Sequence, residues 1–447
     1  MRLSLRPVHP CKFTLSESPA VRSCTTTVQS ARLKKTSPDI HTKKTLEHLL
    51  HPLEHQTSSY NDARPVPVRL GRRWMEYQGI RNWDGLLDPL DDNLRCEILR
   101  YGNFVEAAYK AFDFDPSSPM YASRKFSKAS LFERCGLPDT GYRITKNLRA
   151  TSGIELPGWV EKAPSWVATK SSWIGYVAVC EDKREIARLG RRDIVIAYRG
   201  TATCLEWLEN LRATLTHLPS VNGNNKLGAG GDVSCSQPMV ESGFLSLYTS
   251  RSPAFPSLQE MVREEIMRLL HSYRDEPLSL TITGHSLGAA LATLTAYDIQ
   301  KNFSRQAPLV TVISFGGPRV GDWAFRSQLE RQGTRVLRIV NSDDVITKVP
   351  GFTMDDRDDA PSNVADFPRW IRRCIADTQW VYAEVGKELR LCSRNSPYLK
   401  GIDVATCHDL KTYLHLVNGF VSSKCPFRAT AKTLLTRHFS TERVGSH

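Results

Sequence analysis

Gly284-His285-Ser286-Leu287-Gly288 directly follows the apolar run 278–283 and leads into 289–297, a stretch with the composition of a helix. A serine with a glycine two residues away on each side, set between a strand and a helix, constrains this chain more than any other segment. The backbone must reverse within the pentapeptide. The serine therefore takes a strained conformation, and its hydroxyl projects beyond the sheet edge as a nucleophile. Side chains at the two flanking positions would collide in so tight a turn, hence Gly284 and Gly288. The alternative, a glycine-rich turn that merely contains a serine, does not account for the strand before it and the helix after it.

The surrounding pattern sets the fold class. Strands are predicted over 173–180, 193–198, 278–282, 310–315 and 335–340, and helices over 92–112, 202–216, 258–273 and 289–300. Alternation of this kind predicts a mostly parallel central sheet with helices on both faces. With the serine turn, it predicts the α/β-hydrolase fold. The charged stretch 181–192 reads as a connection, 113–170 as loops with a hairpin, and 219–237 as a glycine-, asparagine- and serine-rich segment that carries no core. At 447 residues and 40% hydrophobic the chain can bury a large core. No apolar run approaches the roughly 20 residues of a membrane span.

Both ends differ in composition from the body. Residues 1–60 hold nine Lys/Arg, four Asp/Glu and five His, with many hydroxyl residues and no apolar core of a secretory signal. This composition predicts an organellar transit peptide, with a solvated tail as the alternative. The plastid is favoured over the mitochondrion because arginine is not dominant and no amphipathic helix is evident. Residues 431–447 form a basic C-terminal tail. Of the net charge of +13, residues 1–60 supply +5 and residues 421–447 supply +4. The body is thus only mildly basic and has no basic-aromatic motif, so nucleic acid is not an expected partner. Anionic lipid headgroups are a simpler target for the surplus. The eleven cysteines form no paired or metal-like spacing, so reduced thiols and no metal are expected. Cys204 and Cys407 adjoin candidate site residues and read as small buried fillers.

A serine nucleophile needs a base, and the base needs an orienting carboxylate. In this fold they follow in the order Ser, Asp, His, which leaves four of the twelve histidines: His408, His415, His438 and His447. The last two sit in the basic tail, where positioning would be poor. His285 adjoins the serine but points elsewhere from so tight a turn, and reads as packing or support for the elbow. His408 immediately precedes a stretch with a helical apolar stripe (Leu410, Tyr413, Leu414, Val417), where a loop can hold it over the serine. His415 lies within that stripe, and placement favours His408. The strand 335–340 ends in Asn341-Ser342-Asp343-Asp344-Val345, and a carboxylate beyond a strand's C-terminal end lies on the functional face of such a sheet. Asp343 and Asp344 both qualify. For the oxyanion, Leu287 offers the amide after the nucleophile and Thr201, at the end of Tyr198-Arg199-Gly200-Thr201, the second. Loss of one such donor typically costs on the order of 3 kcal/mol of barrier.

Together these pieces resemble the class 3 lipases. The shared marks are Tyr198-Arg199-Gly200-Thr201, Gly243-Phe244-Leu245, the elbow, Ser314-Phe315-Gly316-Gly317-Pro318-Arg319-Val320-Gly321, and Asn341-Ser342-Asp343-Asp344-Val345. The last resembles the start of the family's N-x-x-D-x-V-P, which selects Asp344 as the acid. Ile346 and Thr347 depart from that pattern. Trp74-Met75-Glu76-Tyr77-Gln78-Gly79, Asn147-Leu148-Arg149-Ala150-Thr151-Ser152 and His415-Leu416-Val417-Asn418-Gly419-Phe420 are similar to the plant plastid phospholipase A1 group. The resemblance spans residues 66–430. It implies hydrolysis of the sn-1 acyl ester of plastid glycerolipids (phosphatidylcholine, galactolipids), releasing fatty acids such as linolenate for jasmonate synthesis. It implies no cofactor and no obligate protein partner. A triacylglycerol lipase or galactolipase with the same site, and a non-catalytic lipase-like scaffold, are the alternatives.

In the fungal type of this family the helix after the oxyanion residue is a lid. Here 202–211 mixes apolar Leu205, Trp207, Leu208 and Leu211 with acids. Such a segment can cover an acyl groove in water and turn its apolar side to lipid. Ordinary packing of a surface helix on the core would give the same pattern.

Overall fold

The structure, a computed structural model, describes residues 69–115, 117–151, 171–201, 214–219, 237–303, 306–350, 382–396, 399 and 403–419. The expected transit segment 1–60, the tail 431–447 and the lid residues Leu205, Trp207, Leu208 and Leu211 lie outside the described residues.

Among the described residues, seven strands build the central sheet. They are β1 (Tyr142–Thr151), β2 (Ser171–Cys180), β3 (Arg192–Tyr198), β6 (Leu278–His285), β7 (Leu309–Phe315), β8 (Arg335–Asn341) and β9 (Lys387–Leu391), in the order β1-β2-β3-β6-β7-β8-β9. β1, β2 and β3 pair antiparallel, and β3, β6, β7, β8 and β9 pair in parallel. A separate two-stranded ribbon joins β4 (Leu215–His217) to β5 (Met239–Glu241).

The helices of five residues or more among the described residues are α1 (Asp92–Ala111), α2 (Lys183–Leu189), α3 (Ser242–Thr249), α4 (Leu258–Ser272), α5 (Leu287–Phe303), α6 (Trp323–Arg331), α7 (Val404–His408) and α8 (Leu410–Gly419). Local chemistry sets their starts. Asp91 accepts from the amides of Asn93 and Leu94 at the head of α1. Ser257 and Glu260 satisfy each other's backbone amides in a capping box at α4.

Alternate residues of each inner strand face opposite cores, as the strand period of two requires. Val177, Val179, Ile194, Ile196 and Ile282 pack with α3, α4 and α5. Tyr176, Ala178, Val195, Ala197 and Ile313 pack with α1 and α8. Both faces of the sheet are thus covered, which is why its parallel strands read as continuous apolar runs. α5 is buried on nearly every side, and its alanines (Ala289, Ala290, Ala292, Ala296) let it sit close against β6 and β7.

Four sequence expectations are corrected. The hairpin expected within 113–170 has only its first arm there, the full edge strand β1, which pairs antiparallel with β2 beyond that stretch. The connection 181–192 contains α2, capped by Asp182 and closed by Gly190 in the left-handed conformation. The helix expected over 202–216 does not reach its end, because Leu215–His217 pairs with Met239–Glu241. β9 was not anticipated. The described cysteines, Cys96, Cys135, Cys180, Cys392 and Cys407, are free thiols, and Cys407 is buried.

Candidate active site

The carboxyl ends of β3, β6, β7 and β8 lie side by side, with Tyr198 opposite Gly284, His285 opposite Phe315, and Phe315 opposite Ile339. Thr201, Ser286 and Asp344 each follow one of these ends, the edge where sheets of this kind collect functional groups.

Ser286 has φ of +57°, the left-handed region that a non-glycine residue enters only under constraint. Two things hold it there. Its amide donates to the Phe315 carbonyl at the end of β7 (3.0 Å). The glycines permit the closure: a Cβ on Gly284 would run into the Gly288 carbonyl. A Cβ on Gly288 would meet the carbonyls of Tyr198 and Arg199 at 2.6 Å, so the elbow sits directly on the end of β3. Leu287 opens α5, and its amide is one that a helix start leaves without an intrahelical partner. Together with the positive end of the helix dipole, that amide favours negative charge.

Asp344 is fully buried. Its Oδ1 accepts from the Ile346 amide (2.9 Å), and its Oδ2 accepts from His408 Nδ1 (2.7 Å) and from the Tyr413 hydroxyl (2.6 Å). The carboxylate can only accept, so His408 carries its proton on Nδ1. Its Nε2 then presents a lone pair, as a general base requires. Nε2 is buried and without a hydrogen-bond partner among the described residues. No hydrogen bond joins Ser286 Oγ to it in this structure, and such bonds commonly tighten only around substrate. His408 ends α7, and Asp409 separates it from α8.

Asp343 faces away from His408, with Oδ1 on Arg394 Nε (2.9 Å). His415 Nε2 meets Ser396 Oγ (2.9 Å), away from the serine. Thr201 Oγ1 is buried and without a hydrogen-bond partner among the described residues. The loop before it is held by Arg199, which donates to Gly200 O (2.6 Å), Trp173 O (2.9 Å) and Ser172 Oγ (2.7 Å). The guanidinium lies 3.5 Å over the Phe112 ring. Burial pushes its pKa down to about 10.

The structure also gives roles to residues to which the sequence pattern assigns none. In the sequence Tyr413 reads only as part of an apolar stripe, yet its hydroxyl lies on Asp344. Asn341, fully buried, donates to the Cys407 carbonyl (2.9 Å) and to Ser393 Oγ, and accepts from the Ser393 amide (3.1 Å). It thereby ties the strand that carries Asp344 to the helix that carries His408. Tyr109 reaches His285 (2.7 Å). No local pattern marks these pairs, since their partners are far apart in the chain.

The strand order, the strained serine after a central strand and the acid and histidine beyond later strands define an α/β-hydrolase. Residues 195–354 match the model of the family described as lipase (class 3). The chloroplastic phospholipase A(1) DAD1 of Arabidopsis thaliana is 62% identical over 98% of this chain and 100% of its own length. The chloroplastic galactolipase DONGLE of the same plant is 40% identical over 80% of this chain and 72% of its own length. The solved Rhizomucor miehei lipase propeptide complex aligns with 68% of each chain at 17% identity and a TM-score of 0.41. The chain belongs to the class 3 lipases and, within them, to the plastid phospholipase A1 group.

Proposed function

We propose that this chain is a plastid phospholipase A1 that cleaves the sn-1 acyl ester of membrane glycerolipids through an acyl-enzyme on Ser286. His408 Nε2 removes the Ser286 proton as Oγ attacks the ester carbonyl. Asp344 holds the imidazole with Nδ1 protonated and steadies the charge it gains. The amides of Thr201 and Leu287, with the Thr201 hydroxyl, receive the oxyanion. His408 returns the proton to the departing lysolipid oxygen. Water then releases the fatty acid by the same proton path in reverse. In this reading residues 66–430 form the hydrolase domain, 1–60 the transit peptide and 202–211 a cover that opens at the lipid surface. The released acid, of the linolenate type, feeds jasmonate synthesis.

One observation carries the reading: Asp344 bonded to His408 Nδ1 with Nε2 buried and unpartnered among the described residues. The 62% identity to a chloroplastic phospholipase A(1) supports the substrate class and the compartment. The 40% identity to a galactolipase supports galactolipid as a second substrate.

The test is product analysis on phosphatidylcholine, galactolipid and triacylglycerol carrying a labelled sn-1 chain, beside Ser286→Ala. The reading expects labelled fatty acid from the membrane lipids and none from the variant. Release of the sn-2 chain alone, or activity confined to triacylglycerol, contradicts it.

A further inference from the structure

His285 is buried beside the serine, and its two ring nitrogens are both engaged. Nε2 meets the His408 carbonyl at 2.7 Å, and Nδ1 meets the Tyr109 hydroxyl at 2.7 Å. The Tyr109 oxygen in turn accepts from the Gly200 amide at 2.8 Å. These three bonds run from the residue before Thr201 to the main chain of His408.

Their directions are forced. A carbonyl only accepts, so His285 Nε2 holds a proton. In a neutral ring Nδ1 then only accepts, so Tyr109 donates to it and keeps a lone pair for the Gly200 amide. Gly200 packs so closely here that a Cβ would collide with the Tyr109 hydroxyl and come within 3.0 Å of Ser286 Cβ. The connection therefore passes directly beside the nucleophile.

We propose that Tyr109 and His285 form a strut that sets the spacing between the oxyanion loop and the base, which makes them positioning residues for the reaction at Ser286. The inference rests on the triad reading above. Chemistry at Ser286 needs the oxyanion donors and His408 Nε2 placed together on one tetrahedral centre, and displacement of either by an ångström is costly. Thr201 lies just past β3, whereas His408 ends α7. Asn341 and Asp344 tether the histidine to β8, and the strut ties it to the loop after β3.

The strut has to stay uncharged. The rings of His285 and His408 lie 4.7 Å apart, and His408 becomes cationic during turnover. Around the pair stand the Tyr109 hydroxyl on His285 Nδ1, the Tyr413 ring 6.1 Å from that of His285, and, at His408, the Asp344 carboxylate and the adjoining Asp409. Burial, then the neighbouring His408, push the His285 pKa well below the ordinary histidine range. A protonated His285 would place like charge beside the base and turn the Tyr109 O–H away from Nδ1.

The full-length chain is compared as wild type, Tyr109→Phe, His285→Gln and the double variant on phosphatidylcholine micelles, with Ser286→Ala alongside. Glutamine can still donate to the His408 carbonyl, so both single variants break the Tyr109–His285 bond, and Tyr109→Phe also removes the acceptor of the Gly200 amide. Each single variant is expected to lower kcat by about 10- to 100-fold with KM within about 2-fold. The double variant should be no slower than the worse single one, since the two share one bond. Losses that multiply, or a raised KM with kcat intact, overturn the strut. An active Ser286→Ala removes the triad reading itself, whereas an inactive one beside a fully active Tyr109→Phe overturns the strut alone. Nitrogen-15 ring spectra of the wild-type protein give a check independent of variant folding. His285 should remain the neutral, Nε2-protonated form between about pH 5 and 8, and titration within that window overturns the proposal.

Discussion

The Tyr413 hydroxyl donates to Asp344 Oδ2 at 2.6 Å, the same oxygen that His408 Nδ1 reaches at 2.7 Å. One carboxylate oxygen thus holds both the base and a residue of α8. The Tyr413 oxygen also accepts from the Asn341 amide at 3.2 Å. Tyr413→Phe leaves that buried amide without its partner, a loss of about 1–3 kcal/mol of stability. The Asp344–His408 bond survives, so kcat should fall by less than about tenfold. Urea unfolding and steady-state kinetics on the same preparation check both.

The adjacent carboxylates should separate sharply. Asp344→Asn removes the acceptor that fixes the His408 tautomer, and kcat should drop by about 10⁴-fold while the protein stays folded. Asp343→Asn weakens an ion pair to the exposed Arg394 and a thiol contact from Cys392 and should leave kcat within about 3-fold. Equal losses for the two would contradict the assignment of Asp344.

Thr201 is expected to act through its hydroxyl as well as its amide, because Oγ1 is buried and has no hydrogen-bond partner among the described residues. Thr201→Val keeps the shape and the amide. It should lower kcat by about 10²-fold with KM nearly unchanged, the mark of a bond made mainly in the transition state.

At the opposite end of the sheet Asp193, near the start of β3, is fully buried. It accepts from Ser279 Oγ (2.7 Å), Tyr142 OH (2.8 Å) and Tyr101 OH (3.0 Å), with Arg100 at 3.3 Å. Burial alone would raise its pKa, but Arg191, Arg100 and these hydroxyls outweigh burial and hold the carboxyl below the usual range. A depressed native pKa means that the unfolded chain takes up the proton first in acid. The stability from Asp193 is therefore complete above about pH 5 and lost as the pH falls through its native value. Asp193→Asn should cost about 3–5 kcal/mol at neutral pH and flatten this acid dependence. The remaining folded enzyme should keep its kcat, since the site lies at the other strand ends.

The parts of this fold readable in the sequence are those whose signal is local. β3, β6, β7 and β8 are buried on both faces and appear as apolar runs, and the elbow needs its glycines within one pentapeptide. β1 was hidden because it is an edge strand. Arg143, Lys146 and Arg149 interrupt its pattern, and two register shifts break the period of two. β9 is five residues long with exposed Lys387 and Arg390, too little to stand out. The Asp344 assignment needed the family motif, because adjacent acids after a strand look alike until the turn orients them. Tyr413 and Tyr109 were beyond reach: each acts through one hydroxyl on a partner distant in the chain, while its ring simply packs in the core.

The central claim is a covalent one, so the most direct measurement is the mass of the Ser286 peptide. Full-length protein is mixed with a phosphatidylcholine bearing an isotope-labelled sn-1 chain, quenched in acid within one turnover and digested. The account predicts that this peptide gains the mass of the labelled acyl group in wild type, and none in Ser286→Ala. Labelled fatty acid released at full rate with the peptide never modified, or the same release from Ser286→Ala, would contradict it.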